Sequence, residues 1–399
     1  MMTSLEVKHY GRGEDCYIIV HGSNNNASGR EIASKSEIER LLIDLQDTLE
    51  YLKLDKLPAA GTLDFARISQ CHRLKDVSLN GKHSPAFVDS FLQALSELPC
   101  LRRLFMRISV VPDHNNVNNN VRDVRGPPRR RRRPVELPNL ARVLTDSPVL
   151  ETFQLELGGP CRLVNAQEDM YEILIANTTA VTSFSFVDHT TSYNNDSGTS
   201  ITPDLLARVV QENTTLQQFM TSFNSQRDMS DSEGNNWFAP IADALQHNHS
   251  LKRLEMMYGS PYDIQLLESL LATLQTTNTT LQCFQLYSWY DVRNGFVKGV
   301  KHETMTLRDA LELRRKVRFL TDLNRLGRGR IIQASNNNEP LSLQQWMAAM
   351  IVEEQTPSEP PNPYGVYYNH KRLSMTFYLA QQHPFLILPR HLGGMVPLF

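Results

Sequence analysis

Of 399 residues, 41% are hydrophobic and 21% charged, and the net charge is −2. Such a chain has ample material for a core and no global field drawing it to nucleic acid or a membrane surface. Five cysteines (Cys16, Cys71, Cys100, Cys161 and Cys283) are scattered singly with no CxxC pair, which excludes a disulfide framework and a zinc knuckle.

The N-terminal stretch MMTSLEVKHYGRGEDC has no apolar h-region, and no segment approaches the roughly 18 apolar residues of a membrane span. A reduced, cytoplasmic protein is expected. YIIVHGS at 17–23 predicts one strand in a flank, residues 1–35, that is otherwise rich in Gly, Asn and Ser and partly flexible. Its His-Gly turn resembles the oxyanion loop of an α/β-hydrolase, but the chain holds no G-x-S-x-G elbow, so a plain terminal strand is the reading. Phosphate-loop and dinucleotide fingerprints are absent as well.

From residue 49 a unit L-x-x-L-x-L recurs, with any large apolar residue allowed at its three fixed places. The copies begin Leu49/Leu52/Leu54, Leu74/Val77/Leu79, Leu101/Leu104/Met106 and Leu150/Phe153/Leu155. Four more follow: Val181/Phe184/Phe186, Leu216/Phe219/Thr221, Leu251/Leu254/Met256 and Leu281/Phe284/Leu286. Their first positions lie 25, 27, 49, 31, 35, 35 and 30 residues apart. Between units the apolar period changes to that of a helix face, as in Phe87/Val88/Phe91/Leu92/Leu95, Leu205/Leu206/Val209/Val210, Phe238/Ile241/Ala244/Leu245 and Ile264/Leu267/Leu270/Leu271/Leu274. Pro85, Pro203 and Asp204 serve as start signals. One short strand and one helix, repeated, predict a parallel sheet with helices on its outer side, stacked because no unit can bury its apolar face alone.

The longest interval contains HNNVNNNVRDVRGPPRRRRRPVE, whose Asn, Pro and Arg content predicts a disordered insertion near 111–136. Within it lie Arg129, Arg130, Arg131, Arg132 and Arg133; without them 36 basic residues face 43 acidic ones. The run admits a solvated loop, a nuclear-import signal or phosphate binding, in that order, which adds the nucleus as a second compartment. No aromatic residue is interleaved with it, which argues against single-stranded nucleic acid. Shorter polar insertions at 190–200 and 225–236 follow strand units on the same edge. His247 and His249, in the turn HNHS, read as a solvated helix end rather than a metal pair.

Past residue 300, HETMTLRDALELRRKVRFLTDLNRLGRGRI predicts a further helix, and LSLQQWMAAMIVEE and HKRLSMTFYLAQQ two more. Residues 301–399 are therefore assigned to a capping region with a polar outer face.

Three triplets, Asn177-Thr178-Thr179, Asn213-Thr214-Thr215 and Asn278-Thr279-Thr280, fit the N-x-[ST] glycosylation pattern, as do Asn26, Asn195 and Asn248. With no secretory signal in view, the triplets read instead as joints between a helix and the next strand. Asparagine there is expected to close the helix in the left-handed conformation.

The ensemble of L-x-x-L-x-L units at these spacings resembles the leucine-rich repeat family, in its longer, helix-containing, ribonuclease-inhibitor-like form, over residues 36–300. The resemblance implies an α/β solenoid of about eight repeats, with a curved parallel sheet inside, helices outside and a mainly helical C-terminal cap. Leu323-Asn324-Arg325 and the FYLAQQHP run resemble the tail of other leucine-rich repeat proteins. The family's internal asparagine, eight residues after the first leucine, recurs only as Asn224, so an asparagine ladder is expected to be largely missing.

Side chains two, four and six places after each first leucine are expected on the concave face, with the seventh at the strand's end. Tyr51, Lys53, Asp76, Ser78 and Arg103 fall there early in the chain. The expected partner-binding set is Phe105, Arg107, Met220, Phe223, Arg253, Glu255, Met257, Tyr258, Gln285, Tyr287 and Trp289, thickest over the last three repeats and rich in the residue types of interfaces. The function expected is a non-enzymatic module binding a protein partner, with no catalytic residue, cofactor, metal or small-molecule substrate. The alternative is a regulatory subunit, either a ubiquitin-ligase substrate receptor or a leucine-rich repeat protein of GTPase-activating type. Residues 1–35 show no adaptor-binding helix of the kind a ligase receptor carries.

Overall fold

The computed structural model describes residues 3–9, 16–21, 27–32, 35–55, 65–110, 133–158, 161–163, 166–188, 202–222, 239–258, 264–288 and 307–325. The eight L-x-x-L-x-L units form strands β4 (Leu49–Asp55), β5 (Asp76–His83), β6 (Arg103–Val110), β8 (Thr152–Gly158), β10 (Ser183–Asp188), β11 (Gln218–Ser222), β12 (Arg253–Tyr258) and β13 (Cys283–Ser288). They pair in sequence order and all run parallel, with each unit in register with the next.

That register stacks like on like. Leu52, Val77, Leu104, Phe153, Phe184, Phe219 and Leu254 form one buried column, each unit's second fixed place beside the last. Rings at Phe153, Phe184 and Phe219 follow one another at 5.4 and 6.1 Å between centroids. Thr221 occupies a leucine slot in the sixth unit yet is fully buried, because its Oγ1 lies 2.6 Å from the buried Tyr171 hydroxyl. A polar atom there is tolerated only with that partner.

Helices alternate with the strands: α1 (Lys35–Leu45), the single turn α2 (Ala66–Ser69), α3 (Pro85–Ser96), α4 (Pro138–Asp146), α5 (Ala166–Ile175), α6 (Pro203–Glu212), α7 (Ala239–His247), α8 (Ile264–Thr276) and α9 (Leu307–Arg325). Each packs on its neighbour in chain order, and their apolar faces join the strands in one core cluster. The start signals act as expected. Ser84 accepts from Phe87 N at 3.3 Å with Pro85 as the first helical residue, and Thr202 accepts from Leu205 N at 3.2 Å before Pro203. α9 buries Val317, Phe319, Leu320 and Leu323 against α8 and β13. The two later helical candidates, in 341–354 and 370–382, lie outside the described residues.

The N-terminal flank holds three strands where the sequence suggested one. β1 (Thr3–His9) joins β4 in parallel, and β2 (Cys16–His21) and β3 (Ala27–Ile32) continue the sheet antiparallel. Alternation in the first and third is masked by Ser, Gly and charge, which is why only YIIVH stood out. A second difference concerns the insertion. Its last residues form β7 (Arg133–Val135), paired in parallel with β9 (Cys161–Leu163) as a separate two-stranded ribbon beside the connections into α4 and α5. Arg129, Arg130, Arg131 and Arg132 lie outside the described residues. The architecture is thus a parallel sheet with alternating helices, consistent with a repeat solenoid.

Candidate interaction surface

Because the apolar places of every strand face the helices, the alternate side chains form straight rows on the opposite, helix-free face. One row runs Tyr51, Asp76, Arg103, Thr152, Ser183, Gln218, Arg253 and Cys283; the next runs Lys53, Ser78, Phe105, Gln154, Ser185, Met220, Glu255 and Gln285. The third row runs Arg107, Glu156 and Val187 in one part and Ser222, Met257 and Tyr287 in another.

The residues expected to bind a partner divide into two groups separated by β8 and β10. Phe105 and Arg107 share β6, the first partly exposed and the second fully so. Met220, Glu255 and Gln285 are consecutive in the middle row, and Arg253 hydrogen-bonds Glu255 two residues along its own strand. Met257, Tyr258 and Tyr287 lie in strands in register, with side chains outside the described residues, as are Phe223 and Trp289 altogether. Glu255 is only 5% exposed, so its carboxylate serves Arg253 in a closed setting. Ser185, Val187 and Ser222 also sit on outward places and are buried. Openness is therefore unequal along the sheet. It is concentrated over β4, β5, β6 and β8, where the outward side chains are partly or fully exposed apart from Asp76.

Cross-strand ion pairs organise that open part. Arg103 binds Asp76 through two parallel hydrogen bonds, one of them 2.7 Å from Nε to Oδ1. Arg107 reaches Glu156 at 3.2 Å, and Gln154 donates to the same carboxylate at 3.1 Å. Lys75 donates to Glu50 at 3.1 Å and holds its carboxyl below the usual range, and Arg102 faces Glu151 at 3.7 Å. Asn80 donates to Asp55 at 2.9 Å. Sequence reasoning named Asp76 and Arg103 without pairing them. Aligning the units position by position would have set these opposite charges side by side.

The triplets resolve into a different device from the expected one. Asn213, Asn248 and Asn278 each stand three residues before a first leucine, and each side chain ties its own turn to the unit before it. Their amide groups donate across the helix ends to Leu174 O, Val210 O and Leu245 O respectively. Asn248 and Asn278 also donate to the backbone oxygen of the asparagine before, both at 3.2 Å. Every Oδ1 accepts from two backbone N–H groups of its own turn, at 2.7–3.1 Å. Asn324 of α9 ends the series by donating to Asn278 O and Leu281 O. These asparagines form a ladder at the joints into the strands, a different place from the position eight residues after each first leucine.

Left-handed backbone is not its reason. Among the described non-glycine residues only Asn177 has it, with φ 53°, and Asn213 is extended. Asn177 precedes its first apolar place by four residues instead of three, so its oxygen serves Thr214 N of the next unit at 2.9 Å. At the same joint in the second and fourth units stand Cys71, whose buried thiol is pushed up to about 11, and Ser147, whose buried hydroxyl has no partner. The sequons have a structural reading. Nδ2 of Asn213, Asn248 and Asn278 is committed inside residues at most 4% exposed, and no folded chain could present it to a glycosylating enzyme.

His247 and His249 are exposed, and His247 Nδ1 lies 3.1 Å from Asp243 O. Among the described residues no His, Cys, Asp and Glu cluster could hold a metal ion, and no helix is long and apolar enough to cross a membrane. No protein-family model and no curated protein matches the sequence. A solved structure of a Bacteroides fragilis protein from a structural genomics consortium is similar over 70% of this chain and 80% of its own, at 11% identity and a TM-score of 0.33. A likeness so slight says nothing of function.

Proposed function

We propose that this chain is a leucine-rich repeat protein of the helix-containing type, acting as a non-enzymatic interaction module that holds a protein partner on the helix-free face of its sheet. One observation carries the reading. Three rows of outward side chains, in strict register, have no part in the core, and over β4, β5, β6 and β8 they stand open with Phe105 and Tyr51 among charged neighbours. Aromatic and arginine side chains amid a polar rim are the usual makings of an interface centre. Met220, Arg253 and Gln285 extend the same rows toward α9.

Affinity capture with mass spectrometry tests the reading when wild type is compared with Phe105→Ala/Arg107→Ala and with the helix-side control Arg142→Ala. Proteins lost from the first variant and kept by the second are the expected result. Identical sets from all three would remove the reading, provided both variants melt as wild type does.

A further inference from the structure

We infer that the open face over β4, β5, β6 and β8 takes an extended acidic segment of its protein partner, anchored on Phe105. This rests on the interaction-module reading and names the partner's chemistry.

The charges there are balanced in number but not in exposure. Arg103 is 53% exposed and its partner Asp76 10%; Arg107 is 76% exposed and Glu156 25%; Lys75 is 43% exposed and Glu50 13%. Only Arg102 and Glu151 stand level. An approaching chain therefore meets cations first, with the carboxylates they bind already engaged. The bonds to Asp76 use two of the five N–H groups of Arg103, leaving donors for a second carboxylate. A basic segment would meet the same cations around Phe105, the acids better placed for it being Asp55 and Glu151 to either side. Buried Glu255 offers no alternative further along the sheet.

Geometry adds a spacing. Arg103, Phe105 and Arg107 are alternate residues of β6 and project on the same side. At about 3.3 Å per residue the two arginines stand about 13 Å apart with the ring between them. An extended peptide lying along β6 matches this with acidic residues four apart and a large apolar residue midway. Hydrophobic anchoring at the centre and charge-assisted hydrogen bonds at the ends would then act together.

A phage-displayed random dodecapeptide library is panned on the full chain and counter-selected on Arg103→Gln/Phe105→Ala/Arg107→Gln. Survivors should carry Asp or Glu at first and fifth places around an apolar third. A synthetic survivor should lose at least tenfold in affinity on Arg107→Gln and weaken as salt rises. Arg103→Gln leaves the Asp76 carboxylate without its cation and can disturb the sheet, so Arg107→Gln, whose partner is better solvated, is the deciding variant. Arg107→Lys should retain part of the affinity. Neutral or basic survivors, or none that tell wild type from the triple variant, overturn the inference. If captured proteins still depend on Phe105 and Arg107 while survivors lack acidity, only the acidic class falls; if neither experiment responds to these residues, the interaction face falls with it.

Discussion

Replacing His83 by leucine should remove an acid-sensitive weakness from the second unit. The imidazole ends β5 at 1% exposure, stacks on Phe87 at 4.5 Å between centroids, and has no hydrogen-bond partner at either nitrogen. Burial pushes its pKa from 6.5 down to about 4, outweighing the opposing influence of the Asn80 backbone. The unfolded chain therefore takes up a proton as pH falls through 6.5, while the folded chain stays neutral until about 4. Stability is lost across that window, by about 2 kcal/mol at pH 5 and about 3 kcal/mol in full. Because repeat arrays can open in parts, the assay is hydrogen exchange over β5 and α3, corrected for the pH dependence of intrinsic exchange, beside global urea unfolding. Between pH 7 and 5, local protection in wild type should fall by about 20-fold relative to His83→Leu. At pH 7 the variant should be at least as stable, since a buried unsatisfied group is removed. Equal pH dependence in the two proteins would refute the assignment.

Asn248→Ala removes four hydrogen bonds at a buried joint and should cost about 4 kcal/mol in urea unfolding. Asn177→Gly should cost less than Asn177→Ala, by about 1 kcal/mol in the same assay, because glycine keeps the left-handed backbone. Thr221→Val and Tyr171→Phe should each cost about 1 kcal/mol and the pair together little more, since both break the same contact; strict additivity in a double-mutant cycle would count against the bond.

The parallel strands were legible because the places that face the core repeat at fixed offsets, and burial enforces them. Helix starts were legible where a capping Ser or Thr stood before proline. What the sequence concealed were relations between units. The value of asparagine at 213, 248 and 278 lies in carbonyls some 30 to 40 residues away, and no local preference encodes those partners. Asn177 looked like a fourth equal and is not, because one extra residue before Val181 turns its oxygen to the neighbouring unit. The acidic partners of Arg103 and Arg107 are neighbours across a strand pairing, which shows in the sequence only once the units are aligned position by position. Openness is likewise a property of the assembled sheet, which a count of aromatics and arginines along the chain does not contain.

Fold and recognition draw on different places in each unit. The third and fifth residues after each first leucine, with the joint three before it, are fixed by the core and by the ladder; any change there is felt by two neighbours through shared hydrogen bonds. The second, fourth and sixth residues lie outside the core cluster, so their chemistry varies more widely from unit to unit, with Asp76, Ser185, Val187, Ser222 and Glu255 as buried exceptions. Where such places nevertheless repeat a pattern, with cations paired to carboxylates across consecutive strands and a ring between two arginines, the core does not require it. Arginine and lysine are the longer side chains of these pairs and so stand the more exposed, and the acidic segment proposed above would meet them before the carboxylates they bind.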